Sequence, residues 1–238
     1  MIPHALFETL SYTVGFAVYR FLRSRAGDAI PDSTRWSVIA AAAAGAAVGS
    51  KVLFWFEDPV ATLALSRNPA YLMGGKTIVG GLIGGLIAVE WTKRVIGESR
   101  STGDLFALPL CAGIAIGRIG CWLAGPEDHT WGRATASVLG VDGGDGVLRH
   151  CLPLYEVAFL GGLMPIIYRV RQGAHRSGDA FRLFMIGYLS FRLAIEGLKD
   201  TATVGGLTAI QWACAATLLY YAAAIRRRAS ASLQPEKA

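Results

Sequence analysis

Seven stretches of about 17 to 22 mostly apolar residues dominate this sequence, and each can cross the roughly 30 Å hydrocarbon core of a bilayer. They cover about residues 5–22, 36–56, 76–92, 104–124, 152–168, 181–198 and 206–225. Only 17% of the residues are charged, whereas soluble domains usually carry about 25%. The sequence therefore predicts an all-α, polytopic membrane protein with about seven transmembrane helices.

Basic residues are shared unevenly between the loops, which predicts the orientation of these helices. The loops after the odd-numbered stretches hold Arg20, Arg23, Arg25 and Arg35, then Lys93, Arg94 and Arg100, then Arg169, Arg171 and Arg176, then Arg226, Arg227 and Arg228. The other loops hold Arg67, then Arg133 and Arg149, then Lys199. Because positive loops stay in the cytoplasm, we expect the N-terminus outside and the C-terminus in the cytoplasm.

The domain organisation follows from the same pattern. We expect one transmembrane helical domain over residues 1–228 and a short disordered cytoplasmic tail over residues 229–238. No basic region precedes the first apolar stretch, so we expect a retained span rather than a cleaved signal peptide. The outer segments 57–75 and 125–150 are long for hairpins, which is typical of lids and docking surfaces.

Several classes of function are excluded by composition and spacing. The net charge of +6 lies in short loops between apolar stretches, which argues against nucleic-acid binding. The four cysteines have no CxxC spacing and no histidine at ligand spacing, so neither a metal site nor a disulfide framework is predicted. No cofactor is indicated.

Arg118 interrupts the fourth apolar stretch between Gly117 and Gly120. An arginine cannot shed its proton, and its charge in hydrocarbon costs from about 3 to above 10 kcal/mol. Its planar guanidinium suits two-pronged binding of a phosphate or carboxylate. We therefore predict an anionic ligand at Arg118, with snorkelling to the nearby outer interface as the alternative.

The sixth stretch carries three polar side chains four residues apart, namely Tyr188, Arg192 and Glu196. This spacing places them on one helical face, and Arg192 reaches a depth similar to that of Arg118. Two arginines at one level predict a pocket for an anion at the outer leaflet. The alternative is that Arg192 and Glu196 only neutralise each other.

Two further segments border this predicted pocket. His150, just before the fifth stretch, is suited to proton transfer near neutral pH, although interfacial histidines and tyrosines such as Tyr155 are often plain caps. His129 is a weaker candidate. In the third stretch, glycines four apart, including Gly81, favour close helix packing, and Gly80 also lets backbone approach a lipid headgroup.

Four motifs in order resemble the prolipoprotein diacylglyceryl transferase family over roughly residues 70–225. They are GGLIGG, GRIGC with a later Trp131-Gly132, RH followed by LYE, and GYLSFRLAIE. The resemblance implies transfer of the diacylglyceryl group of phosphatidylglycerol to the lipobox cysteine thiol of a preprolipoprotein, with release of glycerol phosphate. It also implies a multi-pass enzyme of the bacterial inner membrane.

The resemblance assigns roles to individual residues. Arg118 and Arg192 would hold the lipid phosphate and offset its growing charge, and Tyr188 and Glu196 would orient Arg192. His150 completes the predicted catalytic residues. The predicted substrate-binding residues are Gly80, Gly81, Gly117, Gly120, Tyr155 and Glu156.

Four positions depart from the family pattern. Val79 replaces the histidine before the Gly-Gly pair that is proposed to deprotonate the thiol, Cys121 replaces an asparagine, and Cys151 and Pro153 replace proline and glutamine. A thiol with a pKa near 8.5 needs a base or an electropositive site. The alternatives are therefore a phospholipid-dependent transferase with another acceptor and a non-catalytic lipid-binding membrane paralogue.

Overall fold

The computed structural model describes residues 2–232, and their conformation is mostly helical. The helices are α1 (Ile2–Ala26), α2 (Asp32–Glu57), α3 (Pro59–Ala64), α4 (Pro69–Gly74), α5 (Ile78–Val95), α6 (Ala107–Ala124), α7 (Leu152–Gln172), α8 (Asp179–Ile195) and α9 (Ala209–Ser232). Short 3-10 turns cover Pro126–Asp128 and Glu196–Leu198. The helical fold is thus confirmed, while the number of membrane crossings and their orientation stay predictions.

Two helices in the described part of the chain, α2 and α6, have both the length and the apolar composition needed to cross a membrane. Each of the seven predicted stretches overlaps one long helix. The predicted tail at 229–238 begins inside α9, which continues to Ser232. Residues 233–238 lie outside the described residues.

The chain divides into two compact units. Unit 1 contains Met1–Asp32, Ser99–Phe191 and Gly197–Asp200, and unit 2 contains Ser33–Glu98, Arg192–Glu196 and Thr201–Ala238. The single domain over residues 1–228 stays a prediction. In unit 1, α6 contacts both α1 and α7.

In unit 1, α6 packs against α1 through glycines. A Cβ atom at Gly120 would lie 2.5 Å from the Cβ of Phe7, and one at Gly113 would lie 3.2 Å from the carbonyl of Ser11. At Gly117 the nearest atom would be 4.0 Å away. Gly120 is therefore a packing position, whereas the backbone beside Arg118 is less crowded.

In unit 2, α5 packs against α2 through the predicted glycine pattern. A Cβ atom at Gly80 would lie 2.3 Å from the carbonyl of Gly49, and one at Gly84 would lie 2.3 Å from the carbonyl of Gly45. Only residues without side chains allow this approach, which is the arrangement expected for small-residue interfaces in lipid. Helix packing therefore accounts for Gly80, and its contact with substrate stays a prediction.

The segment 125–150 contains a small hairpin that the sequence did not predict. Strands β1 (Gly140–Asp142) and β2 (Leu148–His150) are antiparallel, with Gly140 opposite His150. The segment before β1 borders β2 as well, because Gly132 N donates to the His150 carbonyl at 2.8 Å. The hairpin holds His150 immediately before α7, which begins at Leu152.

Candidate functional site

Arg118 on α6 forms an ion pair with Glu156 on α7, inside unit 1. The Nε atom of Arg118 lies 2.9 Å from Oε2 of Glu156, and the two side chains are 14% and 1% exposed. Helix α6 has no acidic residue at helical spacing from Arg118, and the partner of Arg118 comes from another helix. A cation in this setting is held by its own carboxylate before any ligand arrives.

Tyr188 on α8 completes this cluster. Its hydroxyl donates a hydrogen bond of 2.6 Å to Oε1 of Glu156, and both residues are fully buried. The two oxygens of the Glu156 carboxylate therefore hold different partners, Arg118 and Tyr188. Sequence reasoning assigned Tyr188 to Arg192 and Glu156 to substrate, so it missed that these two side chains orient Arg118.

The far end of the Arg118 guanidinium keeps hydrogen-bonding capacity. A guanidinium has five N–H donors, and the carboxylate of Glu156 approaches Nε. Among the described residues, the terminal nitrogens make one weak contact, 3.9 Å from Nη1 to Sγ of Cys121. The terminal N–H groups are thus available to donate two parallel hydrogen bonds, the pattern in which guanidinium groups bind phosphates and carboxylates.

Arg192 and Glu196 form the ion pair that their spacing predicts, inside unit 2. Nη2 of Arg192 contacts Oε2 of Glu196, and the side chains are 7% and 0% exposed. The α-helix ends at Ile195, and Glu196 begins the 3-10 turn. The other oxygen, Oε1, is a buried acceptor without a hydrogen-bond donor among the described residues.

His150 contacts Tyr155, which lies in the second turn of α7. The His150 Nδ1 atom is 3.1 Å from the Tyr155 hydroxyl oxygen, and the ring centroids are 6.0 Å apart with planes at 66°. The Tyr155 hydroxyl donates to the carbonyl of Leu139 at 3.0 Å. The predicted proton-transfer residue is therefore held by the predicted substrate-binding tyrosine. His129, the weaker candidate, is exposed in a left-handed conformation with φ of 55°.

The thiol of Cys151 does not compete as a nucleophile in this region. Its side chain is fully buried, and burial raises the pKa of the Cys151 thiol. The thiol therefore stays protonated at neutral pH. Cys151 acts as a small apolar residue at the start of α7.

Val79 lies in the first turn of α5, at the position where the family pattern has histidine. Its side chain is 1% exposed, and Thr77 caps the helix by accepting a 3.2 Å hydrogen bond from Gly80 N. A buried isopropyl group neither accepts nor donates a proton. Any base for thiol chemistry must come from another residue.

The chain is similar to known proteins of one family. The family model of prolipoprotein diacylglyceryl transferase matches residues 3–226. A phosphatidylglycerol–prolipoprotein diacylglyceryl transferase from Pseudoalteromonas atlantica is 31% identical over 209 residues, covering 80% of this chain and 70% of the relative. One from Photorhabdus laumondii is 28% identical over 255 residues, covering 87% and 84%.

Another similar relative aligns over a shorter stretch. A phosphatidylglycerol–prolipoprotein diacylglyceryl transferase from Glaesserella parasuis is 32% identical over 147 residues. The match covers 56% of this chain and 52% of the relative, so the chain spans about half the length of that protein. The resemblance first seen in four motifs is confirmed and extends over almost the whole chain.

Proposed function

Because this chain belongs to the prolipoprotein diacylglyceryl transferase family, we propose that it transfers the diacylglyceryl group of phosphatidylglycerol to a lipobox cysteine thiol. Glycerol phosphate is the second product. In this proposal the protein crosses the bacterial inner membrane about seven times, with its N-terminus outside. The observation that carries the proposal is the part-buried Arg118, whose Nε lies 2.9 Å from the Glu156 carboxylate and whose terminal nitrogens face no carboxylate among the described residues.

The reaction is a substitution at the glycerol carbon that bears the phosphate. A thiolate sulfur forms the C–S bond while the bond from that carbon to the phosphate oxygen breaks. The electron pair of the broken bond stays on the phosphate, whose charge changes from −1 towards −2. The thiol proton passes to a base and then to water. The step therefore needs a cationic site for the leaving group and a proton acceptor.

Arg118 supplies the cationic site in this proposal. Its terminal N–H groups bind two phosphate oxygens, and the charge that develops on the leaving group strengthens these bonds. Glu156 and Tyr188 hold the guanidinium in place through the 2.9 Å and 2.6 Å contacts. The family motif alone suggests a phosphate-binding role for Arg192, which forms an ion pair with Glu196.

His150 is the proposed proton acceptor. Val79 is apolar and buried, so the position used by the family cannot accept the thiol proton. The imidazole of His150 precedes α7, the helix that also carries Glu156. General-base catalysis of this kind contributes about 10² to 10⁴ in rate.

A second candidate function is supported by Val79 itself. A chain that keeps the phosphate-binding arginines and lacks the family histidine suits a phospholipid-dependent transferase with an acceptor other than a protein thiol. A non-catalytic lipid-binding paralogue is the further alternative. These candidate functions differ in the molecule that receives the diacylglyceryl group, and an experiment can identify that molecule directly.

The test uses the full-length protein in phosphatidylglycerol vesicles with a synthetic lipobox peptide. Glycerol phosphate release and the mass of the peptide are followed for wild type, Arg118→Ala, Arg192→Ala and the exposed control Arg133→Ala. We expect a peptide heavier by one diacylglyceryl group, a loss of about a hundredfold or more in the first two variants, and normal turnover in the control.

Three other results would favour an alternative function or contradict the role of Arg118. Release of glycerol phosphate without peptide modification favours another acceptor. Lipid binding that depends on Arg118, without release, favours the binding protein. Normal turnover in Arg118→Ala at matched protein levels contradicts the assigned role of this residue.

A further inference from the structure

The hydroxyl group of Tyr155 lies between two partners that have different hydrogen-bonding abilities. One is the carbonyl oxygen of Leu139, at 3.0 Å, and the other is Nδ1 of His150, at 3.1 Å. A carbonyl oxygen only accepts hydrogen bonds, and a phenol has a single proton to donate. The Tyr155 proton therefore points to Leu139, and a lone pair of its oxygen faces the imidazole.

This arrangement determines where His150 carries its proton. A neutral imidazole has one N–H and one basic nitrogen, and the contact with the Tyr155 oxygen requires a donor at Nδ1. The N–H is thus on Nδ1, and the basic lone pair is on Nε2. Free imidazole side chains favour the opposite tautomer in water, so the protein imposes this one.

The Nε2 atom is also available to accept a proton. Across residues 2–232, the hydrogen bond of the His150 side chain is the one at Nδ1, and no group in that range hydrogen-bonds to Nε2. The side chain is partly buried. A basic nitrogen that is fixed in direction and free of partners is what a general base requires.

The fold explains how these three groups meet. Gly140 pairs with His150 in the hairpin, and the carbonyl of the preceding residue, Leu139, accepts the hydrogen bond of the Tyr155 hydroxyl. Tyr155 comes from α7, whose first residue is Leu152. The next residue along α7, Glu156, pairs with Arg118. Two successive residues of one helix therefore hold the histidine and the phosphate-binding arginine.

We infer that Tyr155 is a positioning residue that fixes His150 in the Nδ1–H tautomer, so that Nε2 accepts the proton of the acceptor thiol. The inference rests on the proposed transfer reaction. In it, His150 takes over the role of the family histidine, whose position is occupied here by Val79. The S–H proton moves to Nε2 as the C–S bond forms, and the imidazolium keeps its Nδ1–H bond to Tyr155. Because proton uptake at Nε2 leaves the hydrogen bond from Nδ1 to Tyr155 unchanged, the surrounding groups need to move little during the reaction.

The kinetic test compares Tyr155→Phe, His150→Gln and the double variant, in phosphatidylglycerol vesicles with the lipobox peptide. Tyr155→Phe should lower kcat about tenfold with unchanged KM values, and His150→Gln about a hundredfold or more. The double variant should be no slower than His150→Gln, because Tyr155 acts through the histidine. Tyr168→Phe, on the exposed part of α7, is the matched control and should retain full turnover.

The spectroscopic test reads the tautomer without any turnover. Histidine-¹⁵N NMR of the full-length protein at about pH 9, where imidazoles are neutral, is assigned by the signals missing in His150→Gln. We expect Nδ1–H in wild type and a shift towards Nε2–H in Tyr155→Phe.

Each failure has its own meaning. Nε2–H in wild type, or losses in the two single variants that multiply in the double, would overturn the inference. A wild-type protein that shows the Nδ1–H tautomer but never modifies the peptide contradicts the proposed reaction instead, and with it the use of the base.

Discussion

Removing one charge of the Arg118–Glu156 pair should destabilise the protein much more than removing both. The single variant is Glu156→Gln, which keeps the shape of the side chain and an amide oxygen for the Tyr188 hydroxyl. It leaves the guanidinium of Arg118, whose side chain is 14% exposed, without a counter-charge. The double variant Arg118→Met/Glu156→Gln removes the cation as well.

The magnitude follows from the geometry. At 2.9 Å and an effective dielectric constant of about 20, the attraction between the two charges is about 6 kcal/mol. Desolvation of both ions offsets most of this attraction in the intact pair, so the pair contributes little net stability. In Glu156→Gln the desolvation cost of Arg118 remains while its compensation is lost, and we expect a loss of about 3–5 kcal/mol. The double variant should recover most of that loss.

The assay is equilibrium unfolding in mixed detergent micelles, with phospholipid turnover measured on the same samples. The exposed pair of Asp145 and Arg149 provides the control, since Asp145→Asn should change stability little. The double variant should be folded and should lack turnover, which separates stability from catalysis. A Glu156→Gln protein as stable as wild type, or a double variant no more stable than the single one, would refute this reasoning.

Three shorter predictions concern other residues of the chain. Val79→His, with Val79→Leu as size control, should raise peptide modification if proton removal limits the rate, and an unchanged rate would show that it does not. Gly84→Val should destabilise unit 2 by about 1–3 kcal/mol or more, because a Cβ atom there would lie 2.3 Å from the carbonyl of Gly45. Gly81→Ala, where the nearest atom is 3.6 Å away, is its control in thermal unfolding. His129→Gln should keep full turnover in the vesicle assay, and a large loss would assign proton transfer to this exposed loop instead.

The sequence predicted the helices well because each long helix has a local cause. Apolar stretches of the required length mark all seven, and the glycine pattern of α5 anticipates its close contact with α2. The hairpin of β1 and β2 was missed for a physical reason. Its strands have three residues each, too few to show an alternating pattern, and their pairing depends on a Gly-Asp-rich loop.

The contacts between the predicted site residues could be anticipated from the sequence only in part. Helical spacing finds pairs within one helix, such as Arg192 and Glu196, and these are indeed in contact. The partner of Arg118 lies 38 positions away on another helix, which periodicity cannot reveal. A usable signal existed, because Glu156 is a charged residue inside the fifth apolar stretch, and a buried carboxylate needs a cation as much as Arg118 needs an anion.

The two ion pairs show how arginines can be kept inside an apolar protein before any ligand binds. A lone guanidinium there would be costly, and each arginine instead carries its own carboxylate. Glu156 contacts Nε of Arg118 and leaves the terminal nitrogens without a carboxylate among the described residues. In the proposed function a phosphate headgroup would bind these nitrogens without displacing Glu156. Since such pairs add little net stability, a chain under selection for stability alone would do as well with apolar side chains. The presence of both charges therefore argues for a ligand that binds the remaining N–H donors. The double variant Arg118→Met/Glu156→Gln tests this argument, because it should be stable and should lack turnover.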